Sequence, residues 1–281
     1  MFQFLKFFLR LLTTLIICSS LVFLYAHYVE PYWLTAKEVE FSSPHISATN
    51  EGIRIAALAD THFGNHYSIK DFEKVLRTLE GIEPDLVIFL GDLIDDYREY
   101  IKTNDVGDIS KALSRIEAPY GKFAVFGNHD YGGGAHSYYK SIMEEGGFTV
   151  LINENITIEE LGVQIIGIDD MLFGLGDPIH ASSAKPDYFS LLLCHEPDII
   201  DGALKYHIDL MLSGHTHGRQ INLKIKDDYF LPPYGKKYVK GLYSFHKNQA
   251  SLYVNPGIGM TQLPLRFMSP PEITVVTLKK T

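Results

Sequence analysis

The chain has 281 residues, of which 46% are hydrophobic and 21% charged, and its formal net charge is −9 at pH 7. This charge argues against nucleic acid or another polyanion as the general partner, because like charges repel. The chain has two cysteines, and Cys18 lies in an apolar N-terminal run far from Cys194, so no disulfide framework is expected.

Residues 1–28 are predicted to form an N-terminal transmembrane helix that acts as a signal anchor. Lys6 and Arg10 precede Leu11–Ala26, an uncharged, mostly apolar stretch of 16 residues. Tyr28 and Trp33 resemble part of an interfacial aromatic belt. A cleaved signal peptide is the alternative, because the stretch is shorter than the ~20 residues of a typical span. Basic residues ahead of the span favour a single-pass protein of a bacterial-type cell membrane, with its domain on the outer face.

Residues 29–51 are predicted to be a polar tether, and residues 52–281 a single domain. The segment Glu30–Glu51 is polar and contains Pro31 and Pro44, which is typical of an extended linker. The remaining ~230 residues are enough to bury a substantial core in one domain.

The first half of the domain alternates strands and helices. Apolar runs predict buried strands at Ile53–Ala59, Leu86–Leu90 and Phe123–Phe126. Three helices are expected to follow them: Ser68 to about Glu80, which opens with a capping box, Gly107–Ile116 and Ser137–Glu145. This βαβαβα order indicates a parallel sheet covered by helices.

The second half of the domain is richer in strands. It opens with a predicted hairpin of Ile156–Glu160 and Val163–Ile168. Further strands are predicted at Phe189–Leu193, Leu210–Leu212, Gly241–Phe245, Ser251–Val254 and Ile273–Leu278. A four-layer α/β/β/α sandwich of two mixed sheets fits this pattern better than one doubly wound sheet.

Five polar clusters directly follow five of these strands. They read Asp60-Thr-His62, Gly91-Asp92, Gly127-Asn128-His129-Asp130, Cys194-His195 and Gly214-His215-Thr-His217. In open α/β sheets, ligands bind beyond the carboxyl ends of the strands. The clusters hold more candidate ligands than one tetrahedral zinc can use. We therefore expect a dinuclear site with two ions ~3.5–4 Å apart. Mixed carboxylate, imidazole and amide ligands suit Mn²⁺, Fe or Zn²⁺ better than Ca²⁺ or Mg²⁺.

The motifs D-x-H, G-D-x-x-D, G-N-H-D, H and G-H-x-H, in this order, resemble those of the calcineurin-like metallophosphoesterase superfamily. The resemblance runs from about Ile53 to Leu278, and the segments 214–218 and 255–273 are most similar to its membrane-anchored or exported branch. The family pattern implies that one ion binds to Asp60, His62 and His217. It implies that the second ion binds to Asn128, His195 and His215.

The resemblance also implies the roles of three further carboxylate and imidazole groups. Asp92 would bridge the two ions, and a metal-bridging hydroxide would attack the phosphorus atom. His129 would stabilise the transition state or protonate the leaving alkoxide. Asp95, the last residue of G-D-x-x-D, would orient His129. Contacts of Arg219 or Arg266 with a substrate phosphate are a weaker alternative.

The expected activity is hydrolysis of a P–O bond in a phosphodiester, monoester or pyrophosphate. The anchor and the aromatic, basic loop Lys226–Lys240 favour a lipid-linked substrate. A UDP-2,3-diacylglucosamine pyrophosphatase of lipid A synthesis is one alternative, but its substrate is cytoplasmic, which conflicts with the expected topology. A cell-envelope phosphodiesterase avoids this conflict. A non-catalytic metal-binding scaffold is the alternative from another class, and the sequence does not determine the oligomeric state.

Overall fold

A computed structural model describes residues 2–223 and 231–280 of the chain. The first part of the predicted loop Lys226–Lys240 therefore lies outside the described residues. Within them, twelve strands form two six-stranded sheets.

The first sheet has the strand order β1-β12-β2-β3-β4-β5, and both parallel and antiparallel pairs occur in it. Its strands are β1 (Thr35–Ser43), β2 (Arg54–Leu58), β3 (Leu86–Phe89), β4 (Lys122–Ala124), β5 (Thr149–Val150) and β12 (Glu272–Lys280). The strands β2 to β5 are mutually parallel, as the alternating pattern predicted.

The second sheet has the order β10-β11-β9-β8-β7-β6, with parallel central strands and an antiparallel strand at each edge. Its strands are β6 (Glu154–Ile158), β7 (Val163–Gly167), β8 (Phe189–Leu193), β9 (Leu210–Ser213), β10 (Gly241–Phe245) and β11 (Ala250–Val254). The predicted hairpin is present as β6 and β7, so the strand predictions for this half are confirmed.

The helices lie before and between the strands. They are α1 (Phe2–Tyr28), α2 (Ile69–Ile82), α3 (Tyr97–Tyr100), α4 (Gly107–Ser114), α5 (Asn128–Gly132), α6 (His136–Glu145) and α7 (Ile200–Ala203). The predicted capping box opens α2: the Ser68 side chain accepts the Asp71 N–H, and the Asp71 carboxylate accepts the Ser68 N–H. This exchange satisfies two amides that the helix itself leaves unpaired.

Three hydrophobic clusters define the layers. One lies between the first sheet and α2, α4 and α6, and it includes Phe72, Leu76 and Phe89. The second lies between the two sheets and includes Ile88 and Leu191. The third lies on the outer face of the second sheet, against α7. This arrangement is the predicted four-layer α/β/β/α sandwich.

The segment 29–51 differs from the predicted tether, because residues 35–43 form the edge strand β1. All nine residues of β1 pair in parallel with β12, from Thr35 opposite Glu272 to Ser43 opposite Lys280. Phe41 is buried, and its ring lies 5.9 Å from that of Phe189. The prediction was wrong here because an edge strand exposes most of its side chains, so its sequence is as polar as that of a linker.

Helix α1 is exposed along nearly its whole length. Its length and apolar composition are sufficient to cross a membrane. The structure thus contains an N-terminal apolar helix as predicted, whereas its orientation in a membrane stays a prediction.

Candidate metal centre

The five polar clusters meet at one edge of the molecule. The strands β2, β3 and β4 are parallel in the first sheet, and β8 and β9 are parallel in the second. The clusters follow the carboxyl ends of these strands, and the two sheets pack face to face, so residues distant in sequence become neighbours. The structure brings Asp60, His62, Asp92, His195 and His217 into two overlapping groups of candidate ligand atoms.

The first group contains Asp60, His62 and His217, all of them buried. The Nε2 atoms of His62 and His217 are 3.1 Å apart, and Oδ1 of Asp60 lies 3.6 Å from Nε2 of His217. One cation can bridge two such nitrogens, because metal–imidazole bonds are ~2.0–2.1 Å long.

The second group contains Asp60, Asp92 and His195, which are also buried. Oδ2 of Asp92 lies 3.2 Å from Nε2 of His195 and 3.4 Å from Nε2 of His62. The Asp92 carboxylate therefore lies between the two groups and contacts an imidazole of each.

Hydrogen bonds orient three imidazoles through the nitrogen that faces away from the centre. Nδ1 of His195 lies 2.6 Å from the Leu90 carbonyl, and Nε2 of His215 lies 2.8 Å from the Pro233 carbonyl. Nδ1 of His62 lies 3.1 Å from Oδ1 of Asp95. Because the bonded nitrogen must donate its proton to these oxygens, the other nitrogen keeps a lone pair.

Among the described residues, the buried polar atoms that lack a hydrogen-bond partner include Oδ1 of Asn128 and Nε2 of His195, both at this edge. An unpaired buried acceptor is costly, so such atoms are rare unless an ion or water completes the site. Both atoms are electron-pair donors, and both belong to the predicted ligand set. The residues present therefore fit a bound cation.

The burial of these groups sets their charge. Burial raises the pKa of Asp60 to about 6. Burial alone would raise the pKa of Asp92, but the neighbouring His195 holds it well below its ordinary value. Burial and the charge of His195 lower the pKa of His215 to about 3, and burial with His62 lowers that of His217 well below its ordinary value. An ionised Asp92 and neutral imidazoles at His215 and His217 are forms that bind metal ions. Burial alone would lower the pKa of His195, but Asp92 raises it well above its ordinary value, so an ion bound there would displace a proton from this ring.

The backbone at the centre is strained. Asp60, His62, Asp92, His215 and His217 all have φ between 44° and 73°. This left-handed region costs roughly 1–2 kcal/mol for a residue that carries a Cβ atom. Such strain is concentrated at functional sites, where surrounding contacts hold it in place. Five strained residues in one cluster indicate that side-chain placement outweighs local backbone energy here.

His129 lies at the opening of the centre, and 31% of its side chain is exposed. Its ring lies 4.6 Å from that of His62. Nδ1 of His129 bonds to the main-chain carbonyl of Asp95 at 2.9 Å, whereas the Asp95 carboxylate lies farther away, at 3.5 Å. Asp95 thus contacts His129 mainly through its backbone, and its carboxylate bonds to His62 and Thr261.

The structural roles of two buried residues, Asp130 and Arg266, were not predicted from the sequence. The buried carboxylate of Asp130 accepts the N–H groups of Asp92, Leu93 and Gly127 and so shapes the loop after β3. Arg266 is fully buried. Its guanidinium donates to the carbonyls of residues 256, 259 and 269. Two sequence features could have indicated these roles. Asp130 is the aspartate of the G-N-H-D motif, and Arg266 is the single charged residue of an otherwise neutral loop.

His62, Asp95 and His129 form a further group that overlaps the first at His62. Another group of candidate ligands lies at the opposite edge of the molecule. It contains His45, His207 and Asp209, and Asp209 precedes β9, whereas the polar clusters follow the strands. Oδ1 of Asp209 bonds to Nδ1 of His45 at 2.8 Å and also accepts the Ser43 hydroxyl. This group is separate from the candidate centre.

The fold and the clustered carboxylate, imidazole and amide groups define a metal-dependent hydrolase. Residues 53–219 match the family model of the calcineurin-like phosphoesterases. The chain belongs to this family and is a metallophosphoesterase.

Three relatives are similar to this chain over nearly its whole length. The metallophosphoesterase YkuE of Bacillus subtilis is 40% identical over 92% of this chain and 90% of its own. The phosphodiesterase YaeI of Escherichia coli is 30% identical over 95% of this chain and 96% of its own. The UDP-2,3-diacylglucosamine pyrophosphatase LpxG of Chlamydia muridarum is 26% identical over 94% of this chain and 95% of its own.

Proposed function

We propose that this protein is a membrane-anchored phosphoesterase whose two divalent ions bind to the five polar clusters. One ion would bind to Asp60, His62 and His217. The other would bind to Asn128, His195 and His215, and Asp92 would contact both. The observation that carries this proposal is the position of the Asp92 carboxylate, 3.2 Å from the His195 imidazole and 3.4 Å from that of His62.

A pair of Mn²⁺, Fe or Zn²⁺ ions in this position would supply an activated water molecule and would neutralise charge on the phosphoryl oxygens. The chain's own contribution is orientation. The hydrogen bonds of His62, His195 and His215 direct their free nitrogens inward. The exclusion of water around these buried groups strengthens every electrostatic interaction with the phosphoryl group.

His129 would act as the general acid. The main-chain carbonyl of Asp95 fixes its Nδ1, so Nε2 is the nitrogen available to a substrate. Burial alone would lower the pKa of His129, but the Asp92 carboxylate raises it and so favours the protonated ring. Protonation of the leaving oxygen by a positioned imidazole contributes ~10²–10⁴-fold to the rate of such reactions.

We propose a lipid-linked phosphate ester as the substrate class, with the domain on the outer face of the cell membrane. Support comes from the apolar helix α1, from Lys6 and Arg10 ahead of its uncharged stretch, and from the similarity to LpxG, whose name describes a diacylated nucleotide-sugar substrate. Protease added to intact spheroplasts should digest the domain, and complete protection would contradict this orientation.

The decisive experiment compares two variants of the metal-loaded protein. Asp92→Asn should lose metal and activity together, because it removes the shared charge. His129→Ala should keep its metal content and lose ~10²–10⁴-fold in turnover. Elemental analysis and phosphate release from diester, monoester, lipid and nucleotide–lipid substrates provide the measurements.

The exposed Asp187 provides a matched control, since Asp187→Asn should leave both quantities unchanged. Full activity of Asp92→Asn would end the dinuclear proposal. Metal-loaded wild-type protein that hydrolyses none of these substrates would favour a non-catalytic metal-binding scaffold. Selective hydrolysis of the nucleotide–lipid would favour the pyrophosphatase reaction over a general phosphodiesterase.

A further inference from the structure

Residues 256–271, here called the anchor-site loop, connect helix α1 to the candidate metal centre. The loop contacts the last turns of α1 at three points. The Arg266 N–H donates to the Ala26 carbonyl at 2.9 Å, and Nδ1 of His27 lies 2.8 Å from the Pro264 carbonyl. The rings of Tyr25 and Phe267 pack edge to face, with centroids 6.4 Å apart. The end of the apolar helix is therefore bonded to this loop.

The same loop forms one wall of the metal centre. The Gly259 N–H donates to the Asp60 carbonyl at 2.7 Å, and the Thr261 hydroxyl donates to the Asp95 carboxylate at 3.1 Å. The Ser269 hydroxyl donates to the His217 carbonyl at 3.0 Å. Because the buried Arg266 guanidinium ties three of its carbonyls together, the loop couples the helix end to the centre as one unit.

The outer side of the loop is largely apolar and carries no charge, and Gln262 is its exposed polar side chain. Leu263 is 53% exposed and Met268 45% exposed. Ile221 and Leu223 are exposed on the adjacent segment, whose residue 222 donates its N–H to the Phe267 carbonyl at 2.8 Å. The sequence of residues 256–271 contains no aspartate or glutamate, and its one charged group, Arg266, is buried.

The helix fixes the depth of this surface if α1 crosses a membrane. The uncharged stretch from Leu11 to Ala26 has 16 residues, which corresponds to a length of about 24 Å. A hydrocarbon core is ~30 Å thick, so with Arg10 at one boundary Ala26 lies about 6 Å inside the other. The loop residues bonded to Ala26 and His27 then lie at the boundary between the acyl chains and the lipid headgroups.

We propose that Ile221, Leu223, Leu263 and Met268 form a bilayer-contact surface that holds the metal centre at the headgroup layer. The substrate is then a phosphate ester whose apolar portion stays in the membrane during hydrolysis. Thr261, which bonds to a centre residue, is two residues from Leu263, a backbone distance of at most about 7 Å. A headgroup phosphate can reach the centre without extraction of its acyl chains, a process whose cost grows with every methylene removed from the bilayer.

This inference rests on the proposed membrane anchor and function, so its first test does not depend on catalysis. Trp33 is the single tryptophan of the chain. In a Trp33→Phe background, full-length protein carrying Leu263→Trp is inserted into phosphatidylcholine vesicles with or without brominated acyl chains. Its emission should shift to the blue and be quenched by bromine. Ile179→Trp, at a position of similar exposure (48%) in the 3-10 helix Pro178–Ser183, should not be quenched. Equal emission of Leu263→Trp in both kinds of vesicle would contradict the proposed contact with the bilayer.

The second test separates contact with the bilayer from catalysis. Full-length Leu263→Asp/Met268→Asp protein is compared with wild type on a soluble nitrophenyl phosphodiester and on phosphatidic acid and phosphatidylglycerol in vesicles. Vesicle hydrolysis should fall at least about tenfold, because charge at this depth opposes insertion. The soluble reaction and the Ile179→Asp control should be unchanged.

The proposed bilayer contact would be contradicted if the double variant lost activity on both the soluble and the vesicle substrates. It would also be contradicted if the double variant kept both activities. A wild-type protein inactive on every substrate would instead refute the proposed function, and the quenching measurement would still decide the bilayer contact.

Discussion

At the residue scale, the position of Asp92 depends on the backbone around it. Gly91 precedes it with φ of 92°, and a Cβ atom there would lie 2.5 Å from the Gly127 nitrogen. The loops after β3 and β4 thus approach so closely that a side chain does not fit between them. This contact positions Asp92 beside both groups of candidate ligands.

Gly91→Ala should therefore destabilise the protein and reduce its metal content. Gly52→Ala is a matched control, because Gly52 has φ of 87° but would meet no atom within 4 Å. Gly52→Ala should lower the free energy of unfolding by about 1–2 kcal/mol because of its backbone conformation alone. Gly91→Ala should lower the free energy of unfolding by more. Urea unfolding and elemental analysis measure the two effects, and equal costs for both variants would contradict the close approach.

Asp130 should make the metal-free protein less stable as the pH rises. Burial and the Asp92 carboxylate raise the pKa of Asp130 to about 7. The folded state then holds this proton up to about pH 7, whereas the unfolded chain releases it near pH 4. The free energy of unfolding therefore falls between these values, by about 1.4 kcal/mol for each unit of pKa difference.

Asp130→Asn removes this titrating group, so the stability of the variant should not follow this change with pH. The free energy of unfolding of wild type should therefore exceed that of the variant by less at pH 8 than at pH 5. Urea unfolding in the presence of a chelator measures the difference at both pH values. The exposed Asp187→Asn variant should follow wild type throughout. A stability difference that is independent of pH would show that Asp130 is ionised over the whole range.

At the scale of elements, β1 extends the first sheet beyond the limits expected from the sequence. Its nine residues pair with β12, more than 230 residues away, and Phe41 contributes to the core between the sheets. A strand of this kind anchors the segment that leads from α1 into the domain. The path from α1 to the first sheet is therefore short and structured.

Phe41→Ala should lower the free energy of unfolding by about 3 kcal/mol, the lower end of the range for a buried phenylalanine. The neighbouring Glu40 is exposed, and Glu40→Ala should change stability by less than about 0.5 kcal/mol. Chemical denaturation of both variants measures this contrast. If residues 35–43 were a tether, the two substitutions would have the same small effect.

At the scale of the whole molecule, the candidate centre draws on both sheets. Asp60 and Asp92 follow strands of the first sheet, and His195 and His217 follow strands of the second. An unfolded chain cannot hold these groups together, so an ion bound there stabilises the folded state.

Chelation should accordingly lower the stability of the wild-type protein by about 4 kcal/mol, if the ion was present at a thousand times its dissociation constant. The Asp92→Asn variant should show little change on chelation. Thermal unfolding of metal-loaded and chelated samples measures both differences. An equal response of the two proteins would mean that the stabilising ion binds elsewhere.

The sequence by itself determined where most of the strands lie along the chain, the apolar helix and the polar clusters, because each is a local pattern of buried runs and the residues that follow them. Only the tertiary structure decided that β1 is a strand, that the Asp95 backbone bonds to His129, and that the end of α1 is bonded to the wall of the centre. Thr35 pairs with Glu272, and Ala26 with Arg266. Contacts between residues more than 230 positions apart leave no periodicity in the chain, since their energy arises only when the folded backbone brings the partners together.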